Sequence, residues 1–271
     1  MATTRTHLDR LPSPVRAAVE QHTGPLLEVV EASAGFNSEV AARVTSVTGT
    51  WHIKGLRAGH PRAWTQRREA EIAPFIREIA PALRWRVETA GWDLLGFEAM
   101  DGRHADYAPG SADLPEVAAL LRRLGRTPCP DIELRHAEQR LERYAATPDD
   151  LRFFAGDHLL HTDLNNTNVL VNDQSPQGDR ARLVDWAWAT RGAAWLNAGY
   201  WVIWLIASGH TPTAAERWAS KVPAWHTAPP EGITAFAAAN RNVWAEISGA
   251  DPDAWTLRLA TAAAAWHGHR E

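Results

Sequence analysis

The chain of 271 residues contains one cysteine, Cys129. An intramolecular disulfide and a cysteine metal cluster are therefore excluded, and a reducing compartment, the cytoplasm, is the expectation. Long apolar runs are also missing. The longest, roughly Ala198 to Ala207, is too short to span a bilayer, and the segment Met1 to Pro14 lacks the apolar stretch of a secretory signal. Excess positive charge is absent as well, since the formal net charge is -4. A protein that holds nucleic acid through its phosphates is ordinarily basic, so no nucleic-acid partner is expected. No fixed-period repeat and no low-complexity linker is visible. Lysine is scarce: of 28 basic residues, only Lys54 and Lys221 are lysines. What is present, 45% hydrophobic and 22% charged residues with 14 tryptophans, suits a folded globular chain.

The pattern changes along the chain. Leu26 to Leu56 is rich in β-branched residues, and Val40–Val47 and Thr50–Leu56 flank Thr48-Gly49, which predicts a hairpin. Ile72, Phe75, Ile76 and Ile79 recur at helical spacing, predicting one amphipathic helix over Pro61–Ala80, stopped by Pro81. Leu83–Val87 and Asp93–Met100 read as further strands. After Gly102 the character becomes helical: Leu114–Leu124, Ile132–Ala146, Thr213–Lys221, Thr234–Ser248 and Asp251–His267 are predicted helices, with short extended segments at Leu159–Val171 and Ala181–Val184. This order predicts an α+β chain with a small β-rich lobe, residues 1–101, and a larger, mostly helical lobe, residues 102–271. Trp201 and Trp204 fall in an apolar helix and are expected to be core residues.

The most informative stretch is His161-Thr162-Asp163-Leu164-Asn165-Asn166-Thr167-Asn168-Val169-Leu170-Val171, followed by Leu183-Val184-Asp185-Trp186. One carboxylate is followed five positions later by an amide, and after a β-like run by a second carboxylate. Phosphoryl transfer needs groups of this kind: an acid to orient or deprotonate an acceptor hydroxyl, and oxygen ligands for magnesium. The His-x-Asp pair alone carries little, because His104-Ala105-Asp106 matches it too. The full string carries much more.

These motifs resemble the aminoglycoside phosphotransferase and choline kinase family, whose catalytic loop reads His-x-Asp-x-x-x-x-Asn and whose metal-binding Asp is commonly followed by Trp or Phe. The resemblance implies a bilobal protein-kinase-like fold and transfer of the γ-phosphoryl group of ATP or GTP to a hydroxyl. It implies Asp163 as catalytic base, Asn168 and Asp185 as ligands of Mg2+, and His161 as a brace of the loop. In the first lobe it implies Lys54 as the residue that reaches the nucleotide phosphates, with Glu69 as its helix partner and Glu71 as the competitor. Ala34-Gly35-Phe36-Asn37-Ser38 takes the place of the phosphate-covering loop, with Gly35 and Ser38 as candidate contacts, although the glycine-rich pattern is reduced to one glycine. Gly96 to Gly102 resembles the hinge, where backbone groups of Glu98 and Met100 would meet the base.

Two departures bear on function. Thr162 replaces the Arg that usually precedes the catalytic Asp in protein kinases, and Asp185-Trp186-Ala187 replaces Asp-Phe-Gly, which disfavours a phosphorylation-gated protein kinase. Asn197 stands where many family members carry Asp, which leaves its supporting role open. The acceptor is expected to be a small hydroxylated molecule. Residues 100–271 carry a net charge of only -5, so a dense acidic pocket for a polycationic aminoglycoside is not evident, and a nucleoside-type or other natural-product antibiotic fits as well. Resistance or self-protection is the family-level expectation. The rival reading is a catalytically silent nucleotide-binding pseudokinase with a regulatory role; a metal hydrolase using His161 and Asp163 ranks last for want of further ligands.

Overall fold

The structure is a computed structural model, and it describes residues 5–32 and 38–271. Chain packing divides it into two compact units, Met1–Asp101 with Asp185–Ala187, and Gly102–Val184 with Trp188–Glu271. Among the described residues no helix is long and apolar enough to cross a membrane.

The first unit is built on a five-stranded sheet. It opens with helix α1 (Ser13–Thr23), followed by β1 (Leu26–Glu31), β2 (Val40–Ser46), β3 (Gly49–Arg57), helix α2 (Ala63–Ile72), β4 (Leu83–Thr89) and β5 (Trp92–Glu98). The strand order is β1-β2-β3-β5-β4, antiparallel throughout. Side chains alternate between faces along a strand, so the sheet has two distinct sides. Val40, Ala42, Val44, Trp51, Ile53, Trp85 and Leu94 join Val15 and Val19 of α1 in one apolar cluster. The intervening residues His52 and Lys54 therefore belong to the other face. There the register sets Lys54 between Ala41 and Leu95, and His52 between Arg43 and Phe97.

Helix α2 is shorter than its periodicity predicts. It ends at Ile72, and Ala73–Phe75 form a single 3-10 turn. Pro74 explains the stop, because proline donates no N–H and collides with the preceding turn. The buried positions Thr65, Gln66, Glu69 and Ile72 form one face of the helix. Gln66 Nε2 donates to the carbonyls of Lys54 at 3.2 Å and Asp93 at 2.9 Å, tying that face to β3 and β5.

The second unit contains two small sheets and a helical layer. In order it comprises β6 (Arg103–His104), α3 (Leu114–Leu124), β7 (Arg135–His136), α4 (Ala137–Leu141), β8 (His158–Leu160), β9 (Val169–Val171), β10 (Ala181–Leu183), β11 (Thr190–Gly192), α5 (Leu196–Ala207), α6 (Pro212–Ala219), α7 (Pro230–Ser248) and α8 (Ala254–Arg270). The sheets run β10-β9-β6 and β7-β11-β8. The helix expected over Ile132–Ala146 is reduced to α4 and a 3-10 turn at Glu142–Tyr144, because Arg135–His136 is drawn out as a strand beside β11. Phe236 of α7 centres the helical core, with Trp195, Tyr200, Phe154 and Trp266 against it at 5.0–6.0 Å between ring centres. Trp201 and Trp204 are buried in α5, as their apolar context predicts.

Candidate active site

In the first unit the predicted lysine and its helix partner meet. Lys54 Nζ donates to Glu69 Oε2 at 2.7 Å and to Asp185 Oδ1 at 3.0 Å. The second oxygen of Glu69, Oε1, accepts the N–H of Trp186 at 3.3 Å. One buried carboxylate thus fixes both the lysine and the backbone beside Asp185. Glu71, the competitor, turns away and pairs with Arg68 at 3.7 Å with its side chain half exposed. Strand β3 projects Lys54 from the face opposite the apolar cluster, and the Gln66 bonds set the helix that brings Glu69 to it.

The electrostatics follow from burial and proximity. Burial opposes the charge on Lys54, but the Asp185 and Glu69 carboxylates outweigh it and hold the ammonium above its ordinary range. Burial pushes the Glu69 carboxyl up, against the pull of Lys54. His52, two residues before Lys54 on the same face, is pushed down to about 4, by burial first and by the Lys54 charge second. It is a neutral imidazole at neutral pH.

The remaining nucleotide expectations fare unevenly. Gly35 lies outside the described residues. Ser38 is buried, beside Glu39, whose N–H donates to the Gly55 carbonyl at 2.9 Å. In the hinge segment the Glu98 N–H is already taken by the Ala82 carbonyl at 2.9 Å, and its side chain pairs with Arg84 at 2.9 Å. The Met100 carbonyl accepts from Arg43 Nη1 at 3.2 Å, while Arg43 Nη2 holds Asp101 at 2.6 Å. Glu98 and Met100 therefore spend some of the backbone capacity foreseen for a base on contacts inside the unit. Arg43 and His52 are the residues of this face that sequence reasoning missed; strand alternation about Lys54 was the signal for His52.

In the second unit the motif residues form a compact loop between β8 and β9. Asn168 Nδ2 donates to Asp163 twice, to Oδ2 at 3.0 Å and to the carbonyl at 3.1 Å. His161 is fully buried, and its Nε2 meets the Val184 carbonyl at 2.9 Å. The Val184 N–H donates to the Asn168 carbonyl at 2.9 Å, which closes the open end of the β9–β10 hairpin. Asn197, whose role the sequence left open, is buried and bridges: Oδ1 accepts the His161 N–H at 3.1 Å, and Nδ2 donates to the Leu159 carbonyl at 2.9 Å. An amide supplies a donor and an acceptor together, which a carboxylate does not.

Backbone strain marks the same motifs. Thr162 has φ 66° and Asp185 has φ 63°, both in the left-handed region. Such positions cost on the order of 1–3 kcal/mol each for non-glycine residues and persist only where the surroundings hold them. The third such residue among those described, Ala90 at φ 45°, sits beside Gly91 in the β4–β5 turn, where positive φ is the ordinary solution.

Asn168 spends its amide nitrogen on Asp163, so its side-chain oxygen is the end left for a cation. Asp185 offers a second oxygen donor. Both are hard ligands of the type magnesium takes, and magnesium commonly uses one or two protein carboxylates or amides together with phosphate oxygens and water. No group of three or more His, Cys, Asp or Glu suited to a metal occurs among the described residues.

A small antiparallel sheet that carries a lysine–glutamate pair on one face, and a largely helical unit that carries the Asp163–Asn168 loop, together define an α+β protein-kinase-like fold. Neither a protein-family model nor a curated relative matches the chain by sequence. Solved structures do match by fold. Choline kinase LicA from Streptococcus pneumoniae shares 12% identity at a TM-score of 0.64, covering 95% of this chain and 100% of that one, and it has also been solved in complex with AMP. A thermostable mutant of aminoglycoside phosphotransferase APH(4)-Ia, in ternary complex with ADP and hygromycin B, shares 12% identity at a TM-score of 0.61, over 93% of this chain and 99% of that one. The GDP complex of aminoglycoside 2'-phosphotransferase-IIIa shares 10% identity at a TM-score of 0.57, over 96% and 100%. The fold of this chain is the one these small-molecule kinases share.

Proposed function

We propose that the protein is a magnesium-dependent small-molecule kinase that moves the γ-phosphoryl group of ATP or GTP to a hydroxyl of a small acceptor. The observation that carries the reading is that one unit holds a Lys54–Glu69–Asp185 ion cluster and the other, described by itself, holds an Asp163 fixed by Asn168. Asp163 orients the acceptor hydroxyl and accepts its proton. The acceptor oxygen forms a bond to the γ-phosphorus as the bridge to the β-phosphate breaks, and ADP or GDP leaves. Lys54 steadies the phosphates, Glu69 holds Lys54 in place, and His161 braces the loop. Asn168 and Asp185 would hold magnesium, which, when bound, neutralises charge on the phosphates. The neighbours' ADP, AMP and GDP complexes support a nucleotide donor, and hygromycin B in one of them supports a hydroxylated natural-product acceptor. An antibiotic acceptor, and hence a resistance or self-protection role, belongs to this proposal.

The test is acceptor-dependent ADP or GDP release with magnesium across aminoglycosides, macrolides, nucleoside antibiotics, choline and amino alcohols. Turnover on one class establishes the reaction and the acceptor together. Asp163→Asn should then keep nucleotide affinity and lower kcat by about 10²–10⁴-fold, the usual worth of a positioned general base. Nucleotide binding without turnover on any acceptor overturns the kinase reading in favour of a nucleotide-binding regulator.

A further inference from the structure

The residue before the proposed base is the most constrained in the loop. Thr162 is β-branched and left-handed, a combination that is a genuine outlier for such a side chain. Its hydroxyl is engaged twice: Oγ1 donates to the Trp188 carbonyl at 3.2 Å and accepts from Arg140 Nη1 at 2.8 Å. Arg140 comes from α4. The same Nη1 reaches Thr190 Oγ1 at 2.6 Å and the Trp188 carbonyl at 3.3 Å, and the guanidinium lies 5.5 Å from the centre of the Trp188 ring. Thr190 is fully buried in β11 and itself donates to the Trp188 carbonyl at 2.8 Å. One guanidinium therefore pins together helix α4, the strained residue ahead of Asp163, and the strand that follows the second carboxylate motif. No sequence motif marks Arg140.

We propose that Arg140 is a positioning residue for the transfer reaction: through the Thr162 hydroxyl it holds the left-handed turn that aims Asp163. The role in catalysis rests on the kinase reading; the mechanical role does not. A protein kinase puts an arginine immediately before its catalytic Asp, whereas here Thr162 occupies that position and a guanidinium reaches it from a different element. All three bonds leave from Nη1, and the guanidinium lies over the Trp188 ring, so a lysine could donate from one nitrogen but would lack the planar face that covers that ring.

The experiment compares wild type with Arg140→Met, Arg140→Lys, Thr162→Val, Thr162→Ser and the double variant Arg140→Met/Thr162→Val. Arg143→Met serves as the control, since Arg143 bonds to Tyr144 and Glu246 on the exposed surface. Two readouts are taken: steady-state kinetics on whichever acceptor the panel identifies, and amide hydrogen exchange over residues 160–168. Arg140→Met and Thr162→Val should each lower kcat by about 10²-fold, the scale of a misplaced catalytic group, with nucleotide Kd and acceptor KM unchanged. Thr162→Ser, which keeps the hydroxyl, should retain activity, and Arg140→Lys should recover only part of it. The double variant should be no worse than either single, because both remove the same contact. Exchange over 160–168 should quicken by about tenfold or more in Arg140→Met, through local opening, and stay unchanged in Arg143→Met. If Arg140→Met fails to fold, Thr162→Val against Thr162→Ser carries the same test. Unchanged exchange in the folded variants overturns the proposal, as does unchanged kcat. Should wild type turn over no acceptor, the kinase reading falls by itself, and the exchange data still decide whether Arg140 holds the loop.

Discussion

Replacing Lys54 with Met removes one cation from between two carboxylates, and its cost is set by how little water reaches them. The Glu69 side chain is 5% exposed and that of Asp185 is 24% exposed, at 2.7 and 3.0 Å from the ammonium. Each contact is worth about 5–6 kcal/mol of gross attraction at an effective dielectric of about 20, most of which offsets the desolvation of the charges. The net loss on deleting one partner of a buried pair is about 3–5 kcal/mol, because the other charge is left without compensation. At about 2–4 °C per kcal/mol for a chain of this size class, a loss of about 3 kcal/mol lowers the unfolding midpoint by about 6–12 °C at pH 8. The loss is pH-dependent, and its sign follows from Glu69. Burial already raises this carboxyl, and without Lys54 the rise is larger. A group whose folded pKa is raised contributes stability below its unfolded pKa and loses it as pH rises through the folded value. The deficit of the variant against wild type is therefore smaller at pH 5 than at pH 8. Adding Glu69→Gln removes the stranded charge, and the double variant should regain most of the lost midpoint at pH 8 and lose the pH dependence. Tryptophan fluorescence during thermal unfolding follows all of this. A double variant no more stable than Lys54→Met at pH 8 would refute the reasoning.

Three further outcomes are expected. Gly96→Ala should destabilise by about 1–3 kcal/mol through overpacking, since a Cβ there lies 2.0 Å from Trp85 Cε2, and a wild-type unfolding midpoint would show that Trp85 does not lie over that glycine. Asn197→Leu strands the buried His161 N–H and Leu159 carbonyl at about 1–3 kcal/mol for each group, and should lower both the denaturation midpoint and turnover; full activity in the variant contradicts the bridging role. His52 has its folded pKa lowered to about 4, so it contributes stability above its unfolded value that is lost as pH falls from about 6.5 through about 4. His52→Gln should flatten the acid limb of a midpoint-against-pH curve, and an unaltered limb counts against the shift.

What the sequence could show was what repeats locally. Strands β1 to β5, β9 and β10 and the helices α3, α6, α7 and α8 lie where alternation, helical spacing and Gly or Pro punctuation predict them, with ends shifted by a few residues, whereas the two-residue strand β7 falls inside a predicted helix and the short β6 and β11 carry no pattern of their own. Helix α1 carries a weak signal, in which Val15, Val19 and Thr23 follow one face at a spacing of four and Pro14 stands in the first turn. The spacing predicts a longer helix α2 than forms, because the apolar pattern continues past Pro74, whose cost to the backbone the spacing does not register. The motif residues Asp163, Asn168, Asp185 and Lys54 were legible as candidates because the proposed phosphoryl transfer calls for residues of these types in this order. Arg140, Arg43 and His52 were not, since each acts through a partner that only folding brings near: Arg140 is 22 residues from Thr162, and Arg43 is 57 from Met100.

Asp185 shows most clearly why order along the chain and order in space diverge. Sequence alone places it in the helical part, after β10, yet its three-residue segment with Trp186 and Ala187 packs with the sheet unit, 131 residues from the lysine it meets. The chain accommodates this return with a left-handed residue, and aspartate tolerates that conformation better than most side chains because its carboxylate can bond locally. The benefit is electrostatic. Without Asp185, Lys54 would satisfy Glu69 alone, and the ammonium would be tied to a carboxylate fixed on α2. With it, the cation is held from two directions at 2.7 and 3.0 Å, so that under the proposed function a phosphate oxygen would meet an ammonium already oriented and largely stripped of water. On the proposed function, the strain at φ 63° and the desolvated charge then share one explanation, as costs of holding Lys54 and Asp185 in a single preset arrangement.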